Sequence, residues 1–327
     1  MTSSITSHLD HEIYIRQAPG FINSNRPTAV GRLRKALYGL KQGGREWQKV
    51  LREALEKVGF RRTDVDHGLY VRRREGKVVM IPTHVDDGLL VGNDDLDAVL
   101  DEISGHLEGK LKKVETGLFL GMQIIRGTNN SISLLQSHYT RSALNQFFPN
   151  GLSTAKTPLQ SAYSSIIVAT EEERRSCPYR ELLGVLVHLS ACTRPDTTFA
   201  LSFASSFYSC PAKRHWQLPV HICRYLAGTA DLGRKYNAFS RPFTASDVTC
   251  WLDADHGADK DTCRSVLGYE ALLAVAISWL SRRQAMVSIS STDAEHITLS
   301  EAAREMIWLR QLQRELGYET SAPSNLG

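Results

Sequence analysis

A chain of 327 residues that is 42% hydrophobic can bury cores for two or three domains, and its 23% charged content excludes wholesale disorder. The net charge of +4 conceals an asymmetry: residues 26–77 carry 15 Lys and Arg against 6 Asp and Glu, whereas residues 86–108 carry 8 acids and no Lys or Arg. With no signal-peptide core, no membrane-length apolar run and six scattered cysteines lacking a C-x-x-C pair, a soluble intracellular protein without a membrane partner is expected, cytoplasmic or nuclear being open.

In chain order, residues 1–30 read as polar and turn-rich, with QAPGF and NSNRP as punctuation. Trp47, Val50, Leu51, Leu55 and Val58 repeat at helical spacing, and Gly59 stands where such a helix would stop. Leu69–Arg73 and Lys77–Thr83 predict strands around an Arg-Glu-Gly turn, followed by a third at Gly88–Val91. DDLDAVLDEISGHLEGK predicts a helix with Asp94 or Asp95 favourable at its N-terminus. LFLGMQIIR through ALNQF predicts two strands and a helix, and residues 154–165 a linker. Tyr179–Tyr225 predicts helices, with Pro195 in a first turn. Beyond residue 243 the pattern returns to strands broken by a polar loop. Thr292–Leu316 then predicts an amphipathic helix with Ile297, Ala302, Met306, Leu309, Leu312 and Leu316 roughly on one face.

Three constellations could carry chemistry. Asp86 and Asp87, in IPTHVDDGLLVGN, fit a hairpin turn completed by Gly88, or two ligands of a divalent-cation site, for which a lone aspartate pair is weak evidence. LDADHGADKD crowds Asp253, Asp255, Asp259 and Asp261 behind an apolar strand. Its Gly257 and Ala258 fit a calcium loop poorly. A strand aspartate followed much later by a helical glutamate, here Asp253 and Glu295, is instead nuclease-like. Thr292 three residues before Glu295 also reads as a capping box, which would explain the glutamate structurally. Finally, LRKALYGLKQGGREW sets Lys41, Gln42 and Arg45 beside Gly39, Gly43 and Gly44 ahead of a helix. That pattern suits phosphate groups or a flexible basic loop, and it is not a Walker loop.

These segments, in this order, resemble a known family. EIYIRQAPGF, LRKALYGLKQGGREW, HVDDGLLVG, FLGMQI, YRELLGVLVHLSACTRPDTTFALS, HWQLPVHICRYLAGTADLG, LDADHGADKDTCRSVLGY with AISWLSRRQ, and SSTDAEHITLSEAAREMIWLRQL are similar to the C-terminal part of copia-type LTR retrotransposon Pol polyproteins. The resemblance implies an α+β fold. A partial reverse-transcriptase fingers, palm and thumb with an antiparallel sheet would occupy residues 1–165, a helical connection 166–245, and an incomplete ribonuclease-H-like α/β domain 246–327. It implies Asp86 and Asp87 as polymerase Mg²⁺ ligands, Lys41 and Gln42 at the incoming-nucleotide and template pocket, and Asp253 and Glu295 as the first two carboxylates of a ribonuclease H Mg²⁺ site. The implied partners are an RNA or DNA template-primer and dNTP.

The departures from that pattern matter as well. The family's first polymerase carboxylate, in D-V-x-x-A-F-L-N-G, would fall just upstream of Met1. The later ribonuclease H carboxylates, after D-N-x-x-A, would fall beyond Gly327. His84 stands where tyrosine is usual, and Gly43-Gly44 where Ser-Pro is usual. The resulting expectation is a polymerase–ribonuclease H fragment with both metal sites incomplete and no activity by itself; the alternative is a non-catalytic nucleic-acid-binding relic.

Overall fold

The computed structural model describes residues 11–35, 40, 43–85, 87–107, 111, 113, 117–160, 177–238, 247–259, 261–318 and 325–326. It is a mixed α/β structure with antiparallel sheets and, among the described residues, seven α-helices. The chain divides into two compact units, Met1–Phe119 and Leu120–Gly327. None of the described helices is long and apolar enough to cross a membrane. Of the expected linker, residues 154–160 are irregular and 161–165 lie outside the described residues.

In the first unit, β1 (Tyr14–Arg16) pairs antiparallel with β2 (Val30–Arg32). Helix α1 (Gly43–Lys57) then buries Trp47, Leu51, Ala54 and Leu55, which recur every three or four residues and so share a face. It stops before Gly59, whose φ of 89° needs a residue without a side chain. β4 (Leu69–Arg74) and β5 (Lys77–His84) form a hairpin through Glu75 and Gly76, at φ 52° and 76°. Two central residues at positive φ match the twist of the flanking strands.

β3 (Arg61–Arg62) extends this sheet beyond β4, while β6 (Asp87–Gly88) and β7 (Val91–Gly92) both pair with β5. The single strand expected at Gly88–Val91 is therefore two short ones. Gly92 makes the second pairing possible, because a Cβ there would collide with the Val78 carbonyl oxygen. Helix α2 (Leu96–Ser104) is capped by Asp95, whose side chain accepts from the amides of Asp97 and Ala98. Asp94 instead accepts from Lys77 at 2.8 Å and from buried Arg72 at 3.2 Å. Those interactions, the Lys77 hydrogen bond first, hold its carboxyl below the usual range. Trp47, Leu55, Phe60, Tyr70, Val79 and Ile103 anchor the core. β8 (Leu118–Phe119) ends the unit.

The second unit begins with a small antiparallel sheet in which β10 (Ile132–Leu135) lies between β9 (Met122–Arg126) and β11 (Arg234–Tyr236). Helices α3 (Ser137–Phe147), α4 (Tyr179–Cys192), α5 (Thr198–Ser205) and α6 (Gln217–Gly228) follow in sequence. Leu182, Leu183, Leu186, Leu201, Ile222 and Leu226 form the centre of their core. Burial pushes the Cys223 thiol within it up to about 12. Pro195 opens a 3-10 turn, Pro195–Thr197, that leads directly into α5.

Beside that turn sits a buried cation. Arg194, 2% exposed, donates to both Asp196 oxygens, to the Thr229 carbonyl and to Thr229 Oγ1. Tyr225 donates to the same carboxylate at 2.7 Å, and its ring lies 5.4 Å from the guanidinium. A buried arginine with every partner in place ties the end of α4 to the end of α6.

The unit's last sheet has the order β14-β13-β12-β15. β12 (Thr249–Asp259), β13 (Arg264–Leu273) and β14 (Val275–Arg283) are antiparallel, and β15 (Asn325–Leu326) runs parallel to β12. Helix α7 (Ser291–Glu315) covers one face, packing Ala302, Met306 and Leu309 against Val248, Cys250 and Ala271. Ala302, Met306 and Leu309 lie on the buried stripe as expected, but Thr298 and Gln313 share it in place of Ile297 and Leu312. β12 also runs on through the acidic segment to Asp259, where the sequence suggested a loop.

Arg194→Ala is expected to lower the stability of the second unit by about 3–5 kcal/mol, because it strands a partly buried carboxylate. Burial alone would raise the Asp196 pKa, but its bonds from Arg194 and Tyr225 outweigh that and hold it low. Its contribution is therefore complete above the ordinary aspartate value of about 3.9 and disappears as pH falls through the lower folded value. Denaturant melts of wild type and Asp196→Asn between pH 7 and pH 2 check this: the acid-side loss of stability should be shallower in the variant.

Candidate active site

Asp87 of the first unit begins β6, where the chain turns back from β5. His84 pairs with Asp87 and Thr83 with Gly88, so the chain reverses direction between His84 and Asp87. Val85 enters the reversal at φ 51°, a left-handed conformation that a β-branched side chain rarely adopts. What holds it there is specific: the buried Trp47 indole of α1 donates from Nε1 to the Val85 carbonyl at 2.9 Å. On the other side, Thr83 fixes the end of β5 by donating from its amide and its hydroxyl to the Gly68 carbonyl, at 2.7 and 2.9 Å.

Asp87 and His84 are exposed beside this pinned reversal. Asp87 also borders a cavity of about 70 Å³ walled by Trp47, Leu51, Ile81, Thr83 and Leu100. Asp86, Lys41 and Gln42 lie outside the described residues. Gly43 and Gly44, expected in a loop ahead of the helix, are instead the first residues of α1. The two motifs LYGLKQGGREW and HVDDGLLVG are thus joined by one hydrogen bond between their ends.

In the second unit, β12 alternates regularly from Thr249 to Asp255 opposite β13. Cys250 is fully buried under α7, whereas Trp251 is 58% exposed and Asp253 and Asp255 are exposed. Neighbouring strand residues point to opposite faces, so Asp253 belongs to the face that α7 does not cover. Asp259, at the end of the strand, is engaged by Arg283 and by the amides of Asp261 and Thr262. Burial raises its pKa, but Arg283 and those amides prevail and hold it low.

Glu295 lies in the second turn of α7, half-buried and next to the buried Ala294. The expected capping box at Thr292 and Glu295 does not form. Ser290 is the cap, accepting from the Asp293 amide at 3.1 Å, while Asp293 accepts from the Ile289 amide at 3.0 Å. The cap lies two residues earlier than expected, and Asp293 reaches back to the amide before it, so helix capping does not account for Glu295. Among the described residues, no three His, Cys, Asp or Glu side chains come together as a metal-binding group.

Sequence reasoning missed the polar network beneath the start of α7. Buried Gln284 donates from Nε2 to the Ala294 carbonyl at 2.9 Å and accepts from Ser288 Oγ at 2.6 Å. Ser265 donates to Ser288 Oγ at 3.3 Å, and His256 Nε2 donates to the Ser288 carbonyl at 3.2 Å. Gln284 therefore positions the turn of helix that presents Glu295. The signal available in the sequence was an isolated glutamine closing the apolar run AISWLSRRQ.

Comparison with known proteins adds ancestry to this geometry. Residues 1–161 match the family described as reverse transcriptase (RNA-dependent DNA polymerase). The chain is 36% identical over 323 residues to the retrovirus-related Pol polyprotein from transposon RE1 of Arabidopsis thaliana, covering 96% of this chain and 21% of that protein. The corresponding RE2 polyprotein is 34% identical over 321 residues, with the same coverage. The putative transposon Ty5-1 protein of Saccharomyces cerevisiae is 32% identical over 310 residues, 93% of this chain and 99% of that protein. The chain thus spans about a fifth of the Arabidopsis polyproteins it matches. No solved structure matches it.

Trp47→Phe keeps the apolar ring and removes the indole donor, and should lower the stability of the first unit by about 1 kcal/mol. Amide exchange at Asp87 and Gly88 should accelerate in the same variant. In the second unit, Ser290→Ala is expected to cost about 1 kcal/mol through loss of the cap. Glu295→Ala should stay within about 0.5 kcal/mol in the same urea titration. An equal loss from both would restore a capping role to the glutamate.

Proposed function

This chain belongs to the reverse transcriptase family of copia-type retrotransposon Pol polyproteins, and from that premise we propose that it handles an RNA or DNA template-primer by metal-dependent phosphoryl transfer. In this reading residues 1–165 carry the polymerase segment, 166–245 a helical connection, and 246–327 a ribonuclease-H-like segment. Asp86 and Asp87 are the metal-binding carboxylates of the polymerase segment, with Lys41 and Gln42 beside the incoming dNTP. Asp253 and Glu295 are the carboxylates that the family resemblance assigns to RNA-strand hydrolysis, although Asp253 lies on the sheet face that the helix bearing Glu295 does not cover.

The observation that carries the reading is the Trp47–Val85 hydrogen bond, which fixes the aspartate-bearing reversal against the helix that follows Lys41 and Gln42. The donor chemistry fits the metal at Asp87, the described carboxylate of the polymerase pair: an exposed carboxylate is a hard oxygen ligand of the kind Mg²⁺ accepts. Bound divalent cations would supply charge neutralisation at the reacting phosphate. The chain's own part is positional. The strained Val85 backbone and the indole donor keep Asp87 at a fixed place on the sheet edge. The basic stretch of residues 26–77 attracts the phosphate backbone.

For the 246–327 segment, support comes from topology: three antiparallel strands, a long helix across one face, and a fourth strand parallel to the first. The exposure of Asp253 on the face away from α7 favours a second reading for this segment, a nucleic-acid-binding surface without turnover.

Primer extension on a poly(rA)–oligo(dT) template with Mg²⁺ tests the proposal. Extension should be lost on chelation and fall to background in Asp87→Asn, while template-primer binding persists. Extension that survives Asp87→Asn refutes the assignment of the carboxylates. Binding that weakens steeply with salt, in a chain that extends no primer at any Mg²⁺ concentration, establishes the non-catalytic reading.

A further inference from the structure

The β1–β2 ribbon of the first unit has no part in the constellations described above, yet it is built for contact. All six of its paired residues are exposed. The register sets Tyr14 opposite Arg32 and Arg16 opposite Val30. Directly paired residues share a face, so one face carries a tyrosine, a valine and two arginines. The opposite face holds only Ile15 beside Gly31, where a Cβ would meet the Ile15 side chain at 3.7 Å.

The loop between the strands is organised by one side chain. Gln17 donates from Nε2 to the carbonyls of Arg26 and Ala29, at 2.8 and 3.0 Å, and its Oε1 accepts from the Asn23 amide at 2.7 Å. Asn23 Oδ1 in turn accepts from the Asn25 amide at 2.9 Å. This is a compact loop with its ends tied together, and it displays Phe21 at 85% exposure with Ile22 beside it at 57%. Residues 11–35 hold five Lys or Arg and a single acid, Glu12, which accepts from both Tyr14 and Arg32.

We propose that the β1–β2 ribbon and its Gln17-tied loop form a single-stranded nucleic-acid platform, on which Phe21 stacks against an unpaired base while Arg16 and Arg26 contact the flanking phosphates. The charge decides the occupant. A protein partner for a surface of this sign would have to be acidic, whereas a flexible polyanion with flat apolar faces satisfies both the cations and the exposed ring. Pre-ordering of the loop by Gln17 reduces the entropy lost when the base docks. The inference rests on the nucleic-acid-handling reading above and gives it a location away from the carboxylates.

The test uses the full chain and a fluorescein-labelled oligo(dU), read by anisotropy over a salt series. A second oligonucleotide carries 2-aminopurine as a stacking reporter. Phe21→Ala should weaken binding about tenfold and abolish the 2-aminopurine quenching. Phe21→Tyr should retain both. Arg16→Ala and Arg26→Ala should each flatten the salt slope by about 0.7 without changing the quenching. Unchanged affinity and quenching in Phe21→Ala overturn the platform. So does equal affinity for a blunt duplex, or a dimer by sedimentation that Phe21→Ala dissociates while oligo(dU) binding is kept. Primer extension by Asp87→Asn is scored separately: loss of extension there, with normal oligo(dU) binding by Phe21→Ala, removes the ribbon and leaves the carboxylate assignment standing.

Discussion

An indole N–H donating to one strained carbonyl holds the candidate polymerase site together. Val85 sits where a β-branched residue is disfavoured, at a cost on the order of 1–3 kcal/mol for such a backbone. That conformation persists only where its surroundings over-determine it. Trp47 supplies the hydrogen bond from above, and Thr83 anchors the strand below through the Gly68 carbonyl. The indole in turn depends on α1 burying Leu51, Ala54 and Leu55 along the same face. The amphipathic period of a helix thus dictates the backbone geometry of a reversal 38 residues away in sequence.

The second unit shows the same logic with charge and polarity in place of strain. Arg194 is tolerated at full burial because Asp196 and Thr229 accept from its N–H groups, while Asp196, itself held by the Tyr225 hydroxyl, balances its charge. The Gln284–Ser288–Ser265 network does for the start of α7 what Arg194 does for the helical core. Both sit at chain reversals, where backbone groups leave the regular ladders and need other partners. Buried polar networks of this kind specify one arrangement, since each half-satisfied alternative leaves a donor or acceptor stranded.

Periodicity made most elements legible in the sequence: α1, the β4–β5 hairpin, the helices between Tyr179 and Tyr225, and α7 all lie where the apolar spacing placed them. What pattern could not show was which of several similar residues takes a role. Asp94 and Asp95 are equivalent in sequence, but only Asp95 reaches the α2 amides, because Lys77 and Arg72 occupy Asp94. The sequence pointed to Thr292 as the cap of α7, but Ser290 takes that role, because the Gln284 network fixes where the helix starts. Long-range partners decide both choices, and a local window contains none of them.

The split of GLLVG into two strands follows from the same limit. Alternation alone joins Gly88 to Val91 as one strand, but β5 offers its free edge in two places, at Thr83–His84 and at Val79–Met80. The chain meets both by leaving the edge after Leu89, whose amide still donates to the Pro82 carbonyl, and returning at Val91. The return requires a residue with no side chain, because the Val78 carbonyl occupies the space that any Cβ at position 92 would need. Leu90, released from the ladder, packs instead against the core formed by Trp47 and Leu51. The two glycines therefore do different things: Gly88 closes the pairing beside the aspartate, and Gly92 admits the backbone approach that keeps β7 on the sheet. Asp87 is presented by a strand two residues long, held at both ends, which is a firmer support for a carboxylate than an isolated turn would be.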